Sequence, residues 1–294
     1  MKTVIITGAN SGLGFETAKK IAAHSRDFAV ILACRNLEKA AQAREQIIAA
    51  TGNRNVSFMQ LDTASLQSVR DFVEQYKSVY NKPIHALLCN AGISGVGLKK
   101  KQLTEDGFDI VFATNHLGHF LLTTLLLPFM EKEGKILVTA SDMHNPPLEA
   151  GETFEWPGTE ALAHPDDSMA VSRIRYSYSK LCNVYFVYEL ARRLKKENSG
   201  IKVNAFNPGL MKTHLIKDTN ESFYEFVRIN WPERYGNLDN SSSALAELAY
   251  AEGIIMSSGH FYDRSIRPCF TSALSYNEAN ARELWEKSEE YTKG

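Results

Sequence analysis

The amino-acid sequence predicts an α/β fold: one domain with a doubly wound, mostly parallel sheet of about seven strands, flanked by helices. Three observations lead to this prediction. Short apolar runs of strand length alternate with longer stretches of helical periodicity. The first strand runs directly into a glycine-rich turn, K-T-V-I-I-T-G-A-N-S-G-L-G over residues 2–14. No linker-like segment or internal repeat divides the 294 residues, which favours a single core.

The elements are predicted in alternating order along the chain. Strands are predicted over residues 3–6, 28–34, 56–61, 84–89, 135–139 and 201–206, and helices over residues 13–24, 37–50, 66–80, 108–130 and 175–196. A helix over 240–257, a short edge strand over 260–262 and a terminal helix over 277–291 follow. Such alternation is typical of right-handed β-α-β units, whose ligands bind at the carboxyl ends of the strands.

Composition and charge exclude several classes of function. The net charge of −1 gives no basic surface for nucleic acid or an anionic membrane. The chain enters a strand without a signal peptide, and no apolar run approaches the roughly 20 residues of a membrane span, so we expect a cytoplasmic protein. Neither the histidines nor the four cysteines show metal-ligand spacing, which predicts no metal site and reduced, packed thiols.

The glycine-rich turn is suited to a dinucleotide. Gly8 permits a tight turn, Gly12 allows a ligand to approach the backbone, and Gly14 allows the following helix to pack closely on the strand. The N–H groups at the start of that helix favour an anion such as a pyrophosphate. Three glycines alone leave open a turn that binds nothing, so the interpretation depends on the rest of the chain.

The residues that follow the other strands extend this site. Arg35 follows the second strand, where an arginine suits the 2′-phosphate of NADP, although a solvated surface arginine would look the same. Asp62 follows the third strand. It could accept a hydrogen bond from an adenine amino group, or it could simply close a turn. The remaining strands are followed by further candidates, namely Asn90, Ala91 and Gly92, then Ser141, and then Pro208, Gly209 and Thr213.

The long helix predicted from residue 175 carries the candidate acid. Tyr176 and Lys180 are four residues apart and therefore share one helix face. A nearby ammonium stabilises phenolate, so we expect Lys180 to lower the pKa of Tyr176 toward working pH. Tyr178 is the weaker candidate because the residue four positions after it is Cys182 and not a lysine. Taken in isolation, the pair would be read as structural.

Together these motifs resemble the short-chain dehydrogenase/reductase family over nearly the whole chain. The matching motifs, in family order, are T-G-A-N-S-G-L-G at residues 7–14, L-D at 61–62, N-A-G at 90–92, the asparagine of N-H-L-G-H-F at Asn115, Ser141, Y-x-x-x-K at 176–180 and P-G-x-x-x-T at 208–213. The segments A-C-R-N, S-K-L-C-N and L-W-E-K-S are similar to the branch of retinol dehydrogenases and light-dependent protochlorophyllide oxidoreductases. The resemblance implies a Rossmann fold, NADP(H) as cofactor and an enzyme.

The resemblance also implies a role for each candidate residue. Tyr176 is the acid that protonates a substrate carbonyl oxygen as hydride arrives, and Ser141 hydrogen-bonds that oxygen. Lys180 binds the nicotinamide ribose, and Asn115 holds a water that links Lys180 to solvent. The cofactor-binding set is Gly8, Asn10, Ser11, Gly12, Leu13, Gly14, Arg35, Asp62, Asn90, Ala91, Gly92, Tyr176, Lys180, Pro208, Gly209 and Thr213. One departure is Ala140, where the family often has a serine.

The leading prediction is an NADP(H)-dependent oxidoreductase that interconverts a carbonyl and an alcohol on a hydrophobic small molecule, such as a retinoid, a steroid, another lipid or a xenobiotic. Two alternatives stay open: a light-dependent protochlorophyllide-type reductase, and an NADP-binding regulator or scaffold without turnover. The aromatic-rich segment 210–238 is predicted to be a substrate lid, with a packed surface helix pair as the alternative. The resemblance implies a homodimer, although monomers also occur in this branch.

Overall fold

A computed structural model describes residues 1–95, 98–148, 150–171, 174–212, 221–255 and 257–293. These residues build one eight-stranded sheet in the order β3-β2-β1-β4-β5-β6-β7-β8. The strands are β1 Lys2–Thr7, β2 Phe28–Cys34, β3 Val56–Gln60, β4 Ile84–Cys89, β5 Met130–Thr139, β6 Lys202–Asn207, β7 Phe261–Asp263 and β8 Pro268–Cys269. All neighbouring pairs are parallel except β7 with β8, so the carboxyl ends of the first seven strands share one edge.

Helices cover both faces of the sheet because alternate strand residues are apolar on both sides. The helices are α1 Gly12–His24, α2 Leu37–Thr51, α3 Leu66–Val79, α4 Ile110–Phe112, α5 Gly118–Leu126, α6 Thr159–Ala163, α7 Asp167–Val171, α8 Arg175–Lys196, α9 Glu221–Asn230, α10 Leu238–Tyr250 and α11 Glu278–Tyr291. Val4 and Ile6 pack with α1, α2 and α10, whereas Ile5 faces the core built by α3, α5 and α8. This doubly wound, single-domain arrangement confirms the predicted Rossmann-like fold class.

The strand order reverses between β1 and β4, which places a crevice at their carboxyl ends. The chain runs from β1 outward to β2 and β3, and then crosses back to β4 on the other side of β1. In open α/β sheets, ligands bind at such a topological switch point. The glycine-rich turn after β1 and the N-A-G segment after β4 are therefore neighbours in space.

Four elements differ from the sequence-based predictions, the first being β5, which begins at Met130 rather than at residue 135. The strand predicted at the sheet edge, β7, is followed by a two-residue antiparallel strand that forms the edge instead. The helix predicted over 240–257 ends at Tyr250, because Ala251 is extended and Gly253 adopts a positive φ of 78°. The helix predicted over 108–130 is divided by a π-helical turn, Ala113–Leu117, between α4 and α5.

The segment Ile110–Phe129 requires a further correction. It is 20 residues long and contains an 18-residue window with a mean hydropathy of 1.5, so by length and composition it could cross a membrane, contrary to the expectation that no apolar run approaches this length. However, 72% of that window is buried inside the fold. Its leucines pack in the core beneath α3 and α8, as the core helix of a globular domain does, so the segment is weak evidence for a span.

The predicted lid region has one described helix, α9. Tyr224 and Val227 of this helix are buried, whereas Phe226, Ile229 and the following Trp231 are partly exposed. Residues 213–220 of the region lie outside the described residues. Backbone hydrogen bonds join Leu210 to residues 234 and 236, so the end of the region returns to the segment that follows β6.

Candidate active site

The glycine-rich turn leaves the N-terminus of α1 available to a ligand. Gly8 and Gly12 adopt positive φ values of 67° and 57°, which other residues rarely do. A Cβ on Gly14 would lie 2.6 Å from the Asn90 amide nitrogen, so only glycine allows this close packing. Ser11 is the N-cap residue, yet its side chain accepts no hydrogen bond from the helix. The first-turn N–H groups therefore fit a pyrophosphate.

Thr7 joins this turn to the segment after β4. Its hydroxyl oxygen accepts from the backbone N–H groups of Asn90 and Ala91, both at 2.8 Å, and it lies 2.9 Å from the Nε2 atom of His119. Both accepting lone pairs are filled, so the single hydroxyl hydrogen is shared between two acceptors, the Leu88 carbonyl at 3.4 Å and the Nε2 atom of His119. Burial lowers the pKa of His119 to about 4, so the imidazole is neutral. The two sides of the crevice are thus held by a side chain at the end of β1.

Arg35 lies at the rim of the crevice. Its side chain is 75% exposed, and its nearest described charge is the Asp62 carboxylate, with 4.0 Å between Nη1 and Oδ2. The other carboxylate oxygen of Asp62 accepts from the Ala64 N–H at 2.9 Å and closes a turn. The Arg35 guanidinium can thus turn toward a phosphate. Asp62 closes a turn, which was the second of the two roles that the sequence allowed for it.

Asn115 lies inside the π-helical turn and joins two other segments. Its carbonyl oxygen, Oδ1, accepts from the Ile93 N–H at 2.8 Å, and its Nδ2 atom donates to the Ile93 carbonyl and to the Ser179 hydroxyl, both at 2.9 Å. Ser179 in turn donates to the Tyr176 carbonyl at 2.7 Å. Gly92 packs directly against Asn115. A π-turn inside an α-helix frequently marks a functional site, and here it brings the N-A-G segment to the start of α8.

Lys180 is buried at the end of β5. Its Nζ atom donates to the Thr139 carbonyl at 2.9 Å and lies 5.4 Å from the centre of the Tyr176 ring. Burial lowers the pKa of Lys180 to about 8, because the charged ammonium loses solvation. The ammonium therefore lies in the interior beside the tyrosine, on the helix face that the spacing predicted.

The pKa of Tyr176 is shifted in the direction opposite to the expectation. Burial raises this pKa above its usual value near 10, and the negative charge of Asp142 raises it further. A hydrogen bond with Ser141 lowers it, but by less. The expected lowering by Lys180 does not prevail, because the cost of burying a phenolate is larger. Tyr176 is consequently held in its protonated form, the form in which a general acid acts.

Ser141 is held by three neighbours that follow it in sequence. Its Oγ atom donates to Oδ1 of Asp142 and accepts from the Met143 N–H, both at 3.1 Å. The Nδ1 atom of His144 donates to the Ser141 carbonyl at 2.7 Å, while its Nε2 atom accepts from the Ser272 N–H at 3.0 Å. His144 therefore fixes Ser141 to the segment before α11.

The segment after β6 completes the edge. Gly209 has a positive φ of 72°, and its N–H donates to the Asn207 side chain at 3.0 Å. The Pro208 carbonyl accepts from the Ser241 hydroxyl at 2.7 Å, which anchors this segment to α10. Thr213, the last member of the predicted cofactor set, lies outside the described residues.

The predicted residues that the structure describes thus lie at one edge of the sheet, and four further side chains connect them: Thr7, His119, His144 and Ser179. Only weak sequence signals pointed to these four. Thr7 is the last residue of a strand, and His144 follows Ser141 by three positions. His119 and Ser179 belong to motifs singled out for other residues, and their partners come from distant parts of the chain, which spacing alone cannot predict.

A dinucleotide-type sheet whose carboxyl edge also carries a serine, a tyrosine and a lysine defines the class of protein: an oxidoreductase that uses a nicotinamide cofactor. The sequence profile of the short chain dehydrogenase family matches residues 2–152. The chain belongs to this family, as the sequence motifs predicted.

Individual relatives agree with this assignment. The chain is 35% identical to the WW domain-containing oxidoreductase of Gallus gallus over 98% of its own length and 67% of that protein. It is 34% identical to retinol dehydrogenase 11 of Homo sapiens, over 98% and 84% of the two chains. The crystal structure of an uncharacterized protein from Mycobacterium paratuberculosis matches with a TM-score of 0.74 and 30% identity, over 99% and 93%. These relatives are consistent with the retinol dehydrogenase branch that the sequence segments predicted.

Proposed function

We propose that this protein is an NADP(H)-dependent oxidoreductase that interconverts a carbonyl and an alcohol on a hydrophobic small molecule, with Tyr176 as acid and base. One observation carries the proposal: Tyr176, Lys180 and Ser141 lie at the same edge of the sheet as an uncapped helix N-terminus at the topological switch point. That edge is where a dinucleotide and its substrate meet in open α/β sheets.

Each side chain has a physical task in reduction. Tyr176 donates its phenolic proton to the substrate carbonyl oxygen, and Ser141 orients that oxygen by a hydrogen bond. Lys180 hydrogen-bonds the ribose hydroxyls and stabilises the phenolate that forms. Asn115 supports the start of α8 and connects Lys180 to a relay of water. The bound nicotinamide supplies the hydride in reduction and accepts it in oxidation.

The preference for the phosphorylated cofactor is assigned to Arg35. Its exposed guanidinium follows β2, where a 2′-phosphate would lie, and a planar guanidinium can hold a phosphate through paired hydrogen bonds. An acidic residue in this place would instead favour the free ribose hydroxyls of NAD. Arg35 therefore supports NADP(H) over NAD(H).

We assign the hydrophobic substrate to the carboxyl edge of the sheet, beside the segments that follow β5 and β6. Retinol dehydrogenase 11, one of the relatives, is named for a hydrophobic alcohol. In this chain, α9 exposes Phe226 and Ile229, which a closing lid would place against an apolar substrate. The identity of the substrate follows from pocket shape, and a panel of compounds is the direct way to find it.

The test is a panel of ketones, aldehydes and alcohols with NADPH and NADH, performed in the dark. We expect loss of NADPH absorbance with apolar carbonyl compounds and a marked preference over NADH. Turnover only under illumination would favour the protochlorophyllide-type alternative. Saturable NADPH binding without turnover of any compound would favour a regulator or scaffold and would contradict the proposal.

A further inference from the structure

The residue directly after Ser141 is an aspartate whose carboxylate lies beside the reacting group. Asp142 is only partly exposed, with 25% of its side chain accessible, and its Oδ1 atom accepts the hydroxyl hydrogen of Ser141 at 3.1 Å. The backbone motif that fixes Ser141 does not need this carboxylate, because the Met143 N–H and His144 already hold the serine. A charged group at this position therefore calls for a separate explanation.

Hydrogen counting shows what the carboxylate can accept. A carboxylate offers about four acceptor positions. Within the described parts of the chain, Asp142 receives one hydrogen bond, from Ser141, and its Oδ2 atom lies 4.0 Å from Nε of Arg234. The distance to Arg234 exceeds a hydrogen bond. Acceptor positions on Asp142 are consequently available to a ligand in the cleft.

The same counting describes Ser141. A serine hydroxyl has one hydrogen; here Asp142 receives it, while the protonated Tyr176, which is also hydrogen-bonded to Ser141, brings its own hydrogen. For Ser141 to donate to a substrate carbonyl, this hydrogen must turn away from the carboxylate. A substrate with its own donor next to the carbonyl would replace the lost hydrogen bond on Asp142. A substrate without such a donor would leave a partly desolvated carboxylate unsatisfied, which is unfavourable.

Arg234 brings a second segment of the chain close to this carboxylate. It belongs to the segment that returns from α9, where its carbonyl accepts from the Leu210 N–H at 2.7 Å. Its guanidinium approaches Asp142 from the segment after β6, whereas Asp142 belongs to the segment after β5. Two charged side chains therefore lie close to Ser141, although Phe226 and Ile229 of the lid region are apolar.

We propose that Asp142 determines substrate specificity by accepting a hydrogen bond from a hydroxyl or amino group on the carbon next to the reacting carbonyl. The substrate class is an α-hydroxy or α-amino carbonyl compound with an apolar remainder, or the corresponding vicinal diol or amino alcohol in oxidation. A carbonyl oxygen within hydrogen-bonding distance of Ser141 lies within about 6 Å of Asp142, which a donor on the adjacent carbon can bridge. The inference rests on the carbonyl chemistry proposed for Ser141 and Tyr176.

The test compares a matched pair of probes, 2-hydroxyacetophenone and acetophenone, in NADPH-dependent reduction. We expect the wild-type protein to prefer the hydroxy ketone in kcat/KM by about tenfold or more, as sites built to bind a hydroxyl do. Asp142→Leu should bring the ratio close to one, mainly by raising KM for the hydroxy ketone. Asp142→Asn, which keeps an acceptor oxygen but loses the charge, should retain part of the preference.

The control variant is Asp27→Asn, an exposed aspartate in the turn before β2 at the opposite edge of the sheet. It should leave the ratio unchanged. A general loss of activity from a disturbed Ser141 lowers kcat/KM for both probes and therefore leaves their ratio unchanged. NADPH binding measured by fluorescence confirms that each variant is folded. A wild-type ratio near one, or a ratio that survives Asp142→Leu, would overturn the inference while the carbonyl chemistry stands. No reduction of either probe or of the wider panel would overturn both.

Discussion

A buried ion pair supports the start of the helix that carries Tyr176. Arg175, the first residue of α8, places its Nη1 atom 3.0 Å from Oδ2 of Asp109, and these side chains are 6% and 1% exposed. The Oδ1 atom of Asp109 also accepts from the N–H groups of Val111 and Phe112, at 2.9 and 3.0 Å. The pair thus ties α8 to the N-terminus of α4, next to the π-turn that holds Asn115.

Replacing Asp109 with Asn should destabilise the protein strongly. The amide oxygen can still cap α4, so the main effect is a buried guanidinium left without its counter-charge. Breaking a buried pair in this way costs roughly 3–5 kcal/mol. A chain of this length loses about 1.6 °C in Tm per kcal/mol, so we expect a decrease of about 5–8 °C.

Arg175→Met should behave differently with pH. Burial already raises the pKa of Asp109, and without Arg175 the carboxyl can become neutral by binding a proton. A carboxyl whose pKa is higher in the folded than in the unfolded state contributes stability at low pH and loses it as pH rises. Arg175→Met should therefore be less destabilising at pH 5 than at pH 8.

Thermal unfolding followed by circular dichroism at both pH values measures these effects. Glu225→Gln breaks an exposed pair between a carboxylate and a guanidinium within α9, and it should leave Tm unchanged. An Asp109→Asn variant as stable as the wild-type protein would refute the stabilising role of this pair. An Arg175→Met variant whose loss of Tm is the same at both pH values would refute it too.

Two further predictions concern the site itself. Oxidation of an alcohol requires the Tyr176 phenolate. Because burial and Asp142 raise the pKa of Tyr176, kcat/KM for oxidation should rise with pH through pH 10. Asp142→Asn should shift this dependence of kcat/KM on pH to lower pH. Initial rates from pH 6 to 10 measure this, and a plateau below pH 8 would contradict it. Arg35→Ala should weaken NADPH binding by about tenfold or more and leave NADH binding nearly unchanged, since one charged phosphate contact is lost. Equal losses for both cofactors in fluorescence titrations would show that Arg35 does not select the phosphate.

Local sequence signals predicted the sheet and the position of the site well. Periodicity located β1 to β6 to within a few residues, except that β5 begins at Met130 rather than 135, because each strand is a short apolar run bounded by turn residues. The rule that ligands bind at the carboxyl ends of parallel strands then selected Asn90 and Ser141 as candidates, and the structure places both just after such strand ends. These predictions succeeded because they depend on residues close together in the chain.

Contacts between distant residues were not predictable in the same way. The π-turn at Ala113–Leu117 interrupts a continuous apolar pattern, and nothing in that pattern indicates a change of hydrogen bonding. The pairing of Asp109 with Arg175 joins residues 66 positions apart. The pKa of Tyr176 was predicted from the spacing to Lys180, whereas burial and Asp142 determine its direction in the structure.

Tyr176 is the proposed acid and base of a hydride-transfer reaction. Tyr176→Phe removes only the phenolic oxygen, and Tyr178→Phe is the matched control on the same helix, where the ring stacks on Phe154. The most direct measurement is kcat/KM for NADPH-dependent carbonyl reduction together with the NADPH dissociation constant. We predict a loss of about 10²–10⁴-fold in kcat/KM for Tyr176→Phe with NADPH binding retained, and little change for Tyr178→Phe. Activity of Tyr176→Phe close to that of the wild-type protein would contradict the role of Tyr176 as acid and base.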